Sequence, residues 1–265
     1  MSNGFFIDAH LHIGHIGAFF APLVQQKDLL LAMDNAGISH SICMDHLTVF
    51  EGAGAGLEPL RDLFETSGRR VYYLGTFDPR RASACVDALK QAKDWPGFVG
   101  LKLHPSMHGV PADDPVYEQA WRFAADHNLA IMSHSWSASS YNPVQFLSTP
   151  ERFEVQIRKF PQVHFVLGHA GGRGTGRHDA VRMANEYPCV YLDIAGDIFD
   201  YRLLEKLVQS VPVEKILYGS DFPWMDPRSR LSHVLLADIE DSVKGKILHG
   251  NAIRVYRLGV PGCSS

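Results

Sequence analysis

Short apolar runs alternate with helical patterns along almost the whole chain, and this alternation constrains the fold more than any other feature. Eight strand–helix units follow one another at intervals of roughly 30 residues, which predicts an α/β fold with a parallel sheet. Eight regular units within 265 residues favour a (β/α)8 TIM barrel over an open doubly wound sheet, which uses the same alternation. The predicted strands are Phe5–His12, Ser41–Met44, Val71–Phe77, Phe98–Leu103, Leu129–Ser133, His164–Leu167, Val190–Ile194 and Lys215–Tyr218.

The helical patterns carry ordinary end signals, and nothing in the composition divides the chain. Lys27–Ala36 has an apolar stripe and is followed by Gly37, a residue type that commonly ends helices. Because there is no linker, we expect a single domain over residues 1–265, with a C-terminal helix at about 241–258. Gly52–Gly56 is interpreted as a flexible loop and not as a domain boundary. The predicted helices are Lys27–Ala36, Leu57–Thr66, Ala82–Lys93, Pro115–His127, Pro150–Phe160, Asp179–Tyr187, Tyr201–Ser210, Ser229–Ala237 and Asp241–Leu258.

Charge and cysteine content argue against several classes of protein. The formal net charge is −4 and no dense Lys/Arg run occurs, so nucleic acid is not an expected partner. No apolar run reaches the length of a membrane span. Asp8 and His10 come too early to leave room for a signal peptide, so we expect a cytoplasmic protein. The cysteines form no Cys-x-x-Cys pair, which argues against a disulfide framework or a cysteine-based zinc site: Cys43, Cys85, Cys189 and Cys263.

Histidines are concentrated where the carboxyl ends of the predicted strands meet, the end at which such barrels carry their catalytic groups. The first strand ends in His10-Leu11-His12, and residues two apart in a strand point to the same face. The two imidazoles therefore project side by side, as a metal chelate requires. Of the 14 histidines in the chain, six lie at this end of the predicted barrel: His10, His12, His46, His104, His134 and His169. Converging with carboxylates, they predict a metal site.

Aspartates at the strand ends are open to two interpretations. Asp8 lies on the same face as His10 and either accepts a hydrogen bond there or caps the loop. Asp78 follows the third strand and Asp193 lies near the end of the seventh, and aspartates at strand ends often only satisfy loop amides.

The order of the polar residues along successive strands resembles the amidohydrolase superfamily. The set is His10-x-His12, Lys102, His134, His169 and Asp221. The resemblance extends from residue 5 to about residue 258. Four local sequences narrow it to the amidohydrolase-2 branch, which contains metal-dependent hydrolases, decarboxylases and hydratases: Gly100-Leu101-Lys102-Leu103-His104-Pro105, Gly168-His169-Ala170-Gly171-Gly172, Gly219-Ser220-Asp221-Phe222-Pro223 and His249-Gly250-Asn251-Ala252.

The resemblance implies a role for each of these residues. One divalent ion, with zinc expected, would be held by His10, His12, His134 and Asp221. Asp221 would also take a proton from the metal-activated water; the alternative is that it caps a helix or accepts loop hydrogen bonds. His169 would coordinate a second metal ion or hydrogen-bond the substrate as an acid or electrophile.

Lys102 has two implied roles. In binuclear members of the superfamily a lysine on the fourth strand is carboxylated and bridges two metal ions. Many amidohydrolase-2 members hold one ion, and a free lysine would there bind a substrate carboxylate. We favour one ion and keep Lys102 and His169 as candidate ligands of a second. His104 shares a face with Lys102, which places it next to the same site.

Loop residues at the same end of the barrel indicate the character of the substrate. Arg173 and Arg177 lie in a glycine-rich loop and either clamp a substrate carboxylate or are solvated. Aromatic residues of other loops predict an apolar or aromatic wall around the substrate: Phe19, Phe20, Trp136, Tyr141 and Trp224.

The leading functional prediction is a metal-dependent hydrolase that attacks an ester, lactone or amide carbonyl of a small, carboxylate-bearing substrate. The alternative on the same fold is a lyase, a decarboxylase or hydratase of a small unsaturated or aromatic carboxylic acid. A nuclease is disfavoured because such barrels usually carry Glu where this chain has Lys102, and a non-catalytic binding barrel is the last hypothesis. We expect a small molecule as the partner and a homodimer as the candidate assembly.

Overall fold

Eight parallel strands pair in sequence order in the computed structural model of the chain, which describes residues 4–14, 23–51 and 56–260. Backbone hydrogen bonds join the first strand to the end of the last, because His12 N donates to Phe222 O (2.7 Å) and Asp221 N donates to His10 O (2.7 Å). This closure confirms the predicted (β/α)8 TIM barrel. The strands are β1 (Ile7–Ile13), β2 (His40–Asp45), β3 (Val71–Thr76), β4 (Phe98–Leu103), β5 (Ala130–Ser133), β6 (Phe165–Leu167), β7 (Val190–Asp193) and β8 (Ile216–Leu217).

Helices connect the strands, and α1 shows how the local sequence sets their ends. The carboxylate of Asp28 accepts from Gln25 N (2.9 Å) at its start, and Gly37 ends it with a φ of +70°, as the glycine predicted. No described helix has the length and apolar character needed to cross a membrane. The helices are α1 (Gln26–Ala36), α2 (His46–Glu51), α3 (Leu57–Thr66), α4 (Ala82–Ala92), α5 (Pro105–His108), α6 (Glu118–Asp126), α7 (Glu154–Lys159), α8 (Thr175–Glu186), α9 (Leu203–Ser210), α10 (Pro227–Leu235), α11 (Asp241–Gly245) and α12 (Asn251–Tyr256).

Four predicted helices differ from the observed ones. The helix predicted from Asp179 begins at Thr175 as α8, so Arg177 lies in its first turn and not in the predicted loop. Those predicted from Pro115 and from Pro150 each begin with a 3₁₀ turn, Pro115–Tyr117 and Pro150–Phe153, before α6 and α7. The predicted C-terminal helix 241–258 is interrupted by a π turn over Lys246–Gly250. Tertiary hydrogen bonds account for the interruption, because Asn251 Nδ2 donates to the carbonyls of Val213 (2.8 Å) and Ile216 (2.7 Å) and draws the segment onto β8.

The first strand separates the apolar layer from the barrel interior. All seven residues of β1 are buried. Its alternate side chains join the apolar core: Ile7, Ala9, Leu11 and Ile13. His10 and His12, on the other face, contact polar groups from β4, β7 and the end of β8. A strand buried on both faces normally carries apolar residues on both, so this polar row marks a functional site.

Two predicted features lie outside the described residues. The aromatic pair Phe19 and Phe20 belongs to residues 15–22, and most of the Gly52–Gly56 loop belongs to residues 52–55.

Candidate metal centre

Three side chains converge at the carboxyl ends of β1 and β8. Nε2 of His12 lies 3.2 Å from Oδ1 of Asp221, and Nε2 of His10 lies 3.7 Å from the same oxygen. One donor atom from each residue lies within 4.8 Å of the others. Asp221 follows β8 with a φ of +68°, an uncommon conformation for a residue other than glycine, and its backbone N–H is held by His10 O. His12 and Asp221 are about 210 positions apart in the sequence. The barrel brings them together, as the resemblance implied.

The protonation of these groups suits a cation. Burial lowers the pKa of His12 to about 3 and also lowers the pKa of His10, so both rings are neutral near pH 7. Burial opposes ionisation of Asp221, but the neighbouring His169 and the hydrogen bond from His12 hold its pKa well below the usual value. Two neutral imidazoles and one carboxylate within a single cluster fit a divalent transition metal such as zinc.

Lys102 reaches the same cluster from β4. Its ammonium nitrogen lies 3.1 Å from Nε2 of His10 and 3.4 Å from Sδ of Met132. Burial lowers the pKa of Lys102 to about 8, although the charges of Asp193 and Asp221 oppose this change. A lysine next to the candidate ligands is compatible with either of its two predicted roles.

His134, the predicted fourth ligand, is not part of the three-residue cluster. Its Nε2 lies 2.9 Å from Oε1 of Gln145, and its ring stacks on His104 with centroids 4.3 Å apart. Its centroid is 5.0 Å from that of His169, so it lines the same pocket. Its role as a metal ligand stays a prediction. Gln145 was not identified from the sequence, because nothing in its local pattern distinguishes it from a solvated loop residue.

His169 is held by the strand beside its own. Its backbone N–H donates to Oδ1 of Asp193 (2.9 Å), and its ring Nδ1 lies 3.1 Å from the carbonyl of Ala195. A carbonyl only accepts, so Nδ1 carries the proton and Nε2 is left as the free ring nitrogen. Gly196, with a φ of +79°, is required here because a Cβ would lie 2.6 Å from Nδ1 of His169.

Asp193 is a more central residue than the sequence indicated. It is fully buried, and its Oδ2 lies 2.9 Å from Nδ1 of His10. Burial opposes ionisation of Asp193, but the neighbouring His10 and His169 and the hydrogen bonds that they donate hold its pKa at about 2. The one sequence signal was its position at the end of a buried strand, which it shares with Asp78. Asp78 instead caps the Pro79–Arg81 turn and pairs with Arg80 (2.8 Å).

Asp8 lies beneath the cluster and joins the first and last strands. Its Oδ1 accepts from the backbone N–H of His10 (3.1 Å) and of Ser220 (2.9 Å). Burial raises the pKa of Asp8 to about 7. It therefore supports the backbone around His10, in line with the first of its two interpretations.

A cavity of about 640 Å³ opens above these residues. Trp136 and Trp224 line it as predicted, whereas Tyr141 is 99% exposed and does not. The ring of His46 stacks on His12 at a centroid distance of 4.1 Å and lies 4.7 Å from Trp224. The cavity therefore combines an aromatic wall with a floor of candidate metal ligands.

The two predicted arginines are bound to carboxylates of the next loop. Arg173 lines the cavity, but its Nη2 donates to Oδ2 of Asp197 (2.7 Å). Arg177 donates to Asp200 (2.7 Å) and to the carbonyl of Gly172 (3.0 Å). Because the charge of Arg173 is largely compensated by Asp197, clamping of a substrate carboxylate by this residue stays a prediction.

Comparisons with known proteins identify the family of the chain. A family model described as amidohydrolase matches residues 7–258. No curated protein sequence matches the chain. Among solved structures, a 2,6-dihydroxybenzoate decarboxylase in complex with 2,6-dihydroxybenzoate superposes with a TM-score of 0.75 at 15% identity, covering 96% of this chain and 99% of that one. The 5-carboxyvanillate decarboxylase LigW from Sphingomonas paucimobilis gives 0.72 at 14% identity, with coverages of 96% and 99%.

A third structure contains a metal ion. The dihydroxybenzoic acid decarboxylase from Polaromonas sp. JS666, with bound manganese and the inhibitor 2-nitroresorcinol, gives a TM-score of 0.75 at 16% identity, covering 97% of this chain and 98% of that one. At such identities these structures are similar to this chain in fold.

Proposed function

The chain belongs to the amidohydrolase family, and from this premise we propose that it is a metal-dependent hydrolase of small, carboxylate-bearing esters, lactones or amides. The observation that carries the proposal is the convergence of His10, His12 and Asp221 on one point at the base of an aromatic-walled cavity. We propose zinc as the ion, with manganese as the alternative suggested by the Polaromonas structure.

The proposed ligands of the ion are His10, His12, Asp221 and His134. A bound divalent cation would supply Lewis-acid chemistry, lowering the pKa of water and polarising a carbonyl group. The proposal requires His134 to exchange its hydrogen bond with Gln145 for a place beside the other three residues.

Asp221 is the proposed general base. Its carboxylate is ionised near pH 7, which leaves it free to accept a proton from an attacking water, and its Oδ1 lies among the proposed ligands, 3.2 Å from Nε2 of His12. The second proposed catalytic residue, His169, presents Nε2 because its Nδ1–H is engaged by Ala195 O. Once protonated, Nε2 can donate to a developing oxyanion or to the leaving group.

Lys102 is the proposed partner of the substrate carboxylate. Its side chain is a buried cation on the cavity floor, and among the described residues it has no carboxylate within 4 Å. A substrate carboxylate would compensate a charge that is otherwise costly to bury. Trp136 and Trp224 would pack against the apolar body of the substrate, and Arg173 could contribute at the mouth once Asp197 is displaced.

Metal analysis combined with product analysis tests the proposal. Protein purified without chelator is expected to contain about one equivalent of a divalent ion. Lactones, esters and amides carrying a carboxylate are then assayed in ¹⁸O-labelled water, with incorporation of one label into the product expected. A small fraction of an equivalent of metal, with no gain in activity on adding zinc or manganese, would contradict the proposal.

Decarboxylation is the second candidate. It is favoured by three similar structures that are named as decarboxylases and by a buried cation that can hold a carboxylate. Release of carbon dioxide from an aromatic acid, without uptake of labelled oxygen into the organic product, would replace the hydrolase proposal by this one. We also propose a homodimer as the assembly, which light scattering on the purified protein measures directly.

A further inference from the structure

The two ring nitrogens of His10 face different partners. Nδ1 lies 2.9 Å from Oδ2 of Asp193 on β7, whereas Nε2 faces Lys102 Nζ at 3.1 Å and Asp221 Oδ1 at 3.7 Å. Only one nitrogen of a neutral imidazole carries a proton, and only the other can act as a metal ligand. The function of His10 therefore depends on which nitrogen is protonated.

Both neighbours of His10 favour one tautomer, because the ammonium of Lys102 only donates toward Nε2 and the carboxylate of Asp193 only accepts at Nδ1. Asp193 is fully buried, and among the described residues it forms no ion pair with Lys or Arg. Its other oxygen, Oδ1, accepts from the backbone N–H groups of His169 (2.9 Å) and Ala195 (3.0 Å). The ionised carboxylate can only accept hydrogen bonds. Its remaining oxygen, Oδ2, therefore requires Nδ1 of His10 to be the donor.

We propose that Asp193 is a positioning residue that fixes His10 as the Nδ1–H tautomer and directs its Nε2 lone pair into the candidate metal centre. The same carboxylate holds the backbone of His169, whose ring proton is set by Ala195 O. One side chain on β7 thus orients two candidate site histidines on β1 and after β6. The functional role of this tautomer rests on the proposed metal site. The tautomer itself is expected whether or not a metal ion binds.

The hydrogen bond between Asp193 and His10 also accounts for a second cluster of potential metal ligands. His10, His169 and Asp193 bring donor atoms within 4.8 Å of one another and could by distance alone hold an ion. In our proposal they do not, because Asp193 Oδ2 engages the Nδ1–H of His10. Carboxylates that receive the second N–H of a metal-bound histidine are a common device for orienting the ring.

Asp193→Asn tests the proposal with little change in shape. The amide oxygen can still accept from the backbone N–H groups of His169 and Ala195, and its NH₂ group would then face Nδ1 of His10. This arrangement moves the proton of His10 to Nε2 and removes the lone pair that would bind the metal. We expect the affinity for Zn²⁺ and Mn²⁺ to fall about 10–100-fold.

The matched control is Asp78→Asn. Asp78 is also fully buried at a strand end, but it caps a turn and pairs with Arg80 away from the cavity lining. Affinities are measured by titration against a competing chelator, with near-UV circular dichroism to compare the packing of the variants. Unchanged metal affinity in Asp193→Asn, or equal losses in both variants, would overturn the proposal.

A spectroscopic measurement determines the tautomer in the wild-type chain and requires no metal. Long-range ¹H–¹⁵N correlation spectra of ¹⁵N-histidine-labelled, metal-free protein report the tautomer of each ring, and the His10 signals are assigned by their loss in His10→Gln. The Nδ1–H tautomer is expected for His10 in the wild-type chain, and an Nε2–H tautomer would refute the inference. Failure of the wild-type chain to bind either ion would instead refute the proposed function.

Discussion

The ammonium nitrogen of Lys102 lies 3.1 Å from Nε2 of His10, the ring atom that faces the candidate metal centre. The positive charge of Lys102 therefore lies next to a potential metal ligand, where it would repel a divalent ion. Two arrangements relieve the conflict when a divalent ion binds. Either Lys102 moves toward a substrate carboxylate, or it becomes carboxylated and turns into a ligand.

Replacement of Lys102 by Met distinguishes a free lysine from a carboxylated one. With a free lysine, Lys102→Met removes a neighbouring positive charge, so metal stoichiometry is retained while the KM for a carboxylate substrate rises about 10-fold or more. Metal content is measured by mass spectrometry, and KM by steady-state kinetics. A ¹³C NMR carbamate signal after incubation with labelled bicarbonate, together with loss of metal in Lys102→Met, would indicate the carboxylated form.

Removal of a proposed ligand should abolish tight metal binding. His12→Ala and Asp221→Asn each delete one of three converging donors, so bound metal after gel filtration is expected to fall well below that of the wild type. The surface variant His127→Ala serves as the control, because His127 is exposed at the end of α6. Retention of a full equivalent in both ligand variants would show that the ion binds elsewhere.

Metal removal should lower thermal stability. A ligand that binds only the folded state at 100 times its Kd stabilises it by about 2.7 kcal/mol. For a chain of this length that corresponds to a change in Tm on the order of 5–10 °C. Differential scanning calorimetry with added zinc, and after dialysis against a chelator, measures the change. An unchanged Tm would contradict binding within the folded barrel.

Truncation of Leu101 should destabilise the barrel. Leu101 lies on β4 and is fully buried in the apolar core, so Leu101→Ala leaves a cavity and is expected to lower the free energy of unfolding by about 2–5 kcal/mol. The control is Leu31→Ala on α1, where the side chain is 59% exposed and the expected change is about 0.5 kcal/mol or less. Denaturant titrations compare both variants with the wild type.

His108 should make stability dependent on pH below neutrality. It is buried with Nε2 3.0 Å from Val49 O, and burial lowers its pKa from 6.5 to about 4. Between these pH values His108 is protonated in the unfolded chain but neutral in the folded chain. The free energy of unfolding therefore falls as the pH drops from about 6.5 to about 4.

The full contribution of His108 is on the order of 3 kcal/mol. Denaturant titrations of the wild type and of His108→Gln between pH 4 and pH 7 isolate this contribution, with the difference between the two chains expected to change by that amount across the window. A difference that does not vary with pH would contradict the lowered pKa.

Local sequence determined the elements of this protein and the faces of its strands. A period of two residues placed His10 and His12 on one side of β1, and the glycine after α1 ended that helix, because both effects depend only on backbone geometry within a few residues. The regular return of strand and helix patterns determined the barrel, since eight parallel strands with helical crossovers have few other ways to bury their apolar faces.

Beyond the three candidate ligands that the family resemblance brought together, tertiary structure alone decided which polar groups meet. His10 and Asp193 are separated by 183 positions, and their hydrogen bond exists because closure of the barrel brings β1 and β7 to the same interior. The pairing of Arg173 with Asp197, the hydrogen bond between His134 and Gln145, and the π turn before α12 have the same origin. Hydrogen bonds and charge pairs act over a few ångströms, so they are specified by strand register and loop position, which no local pattern contains.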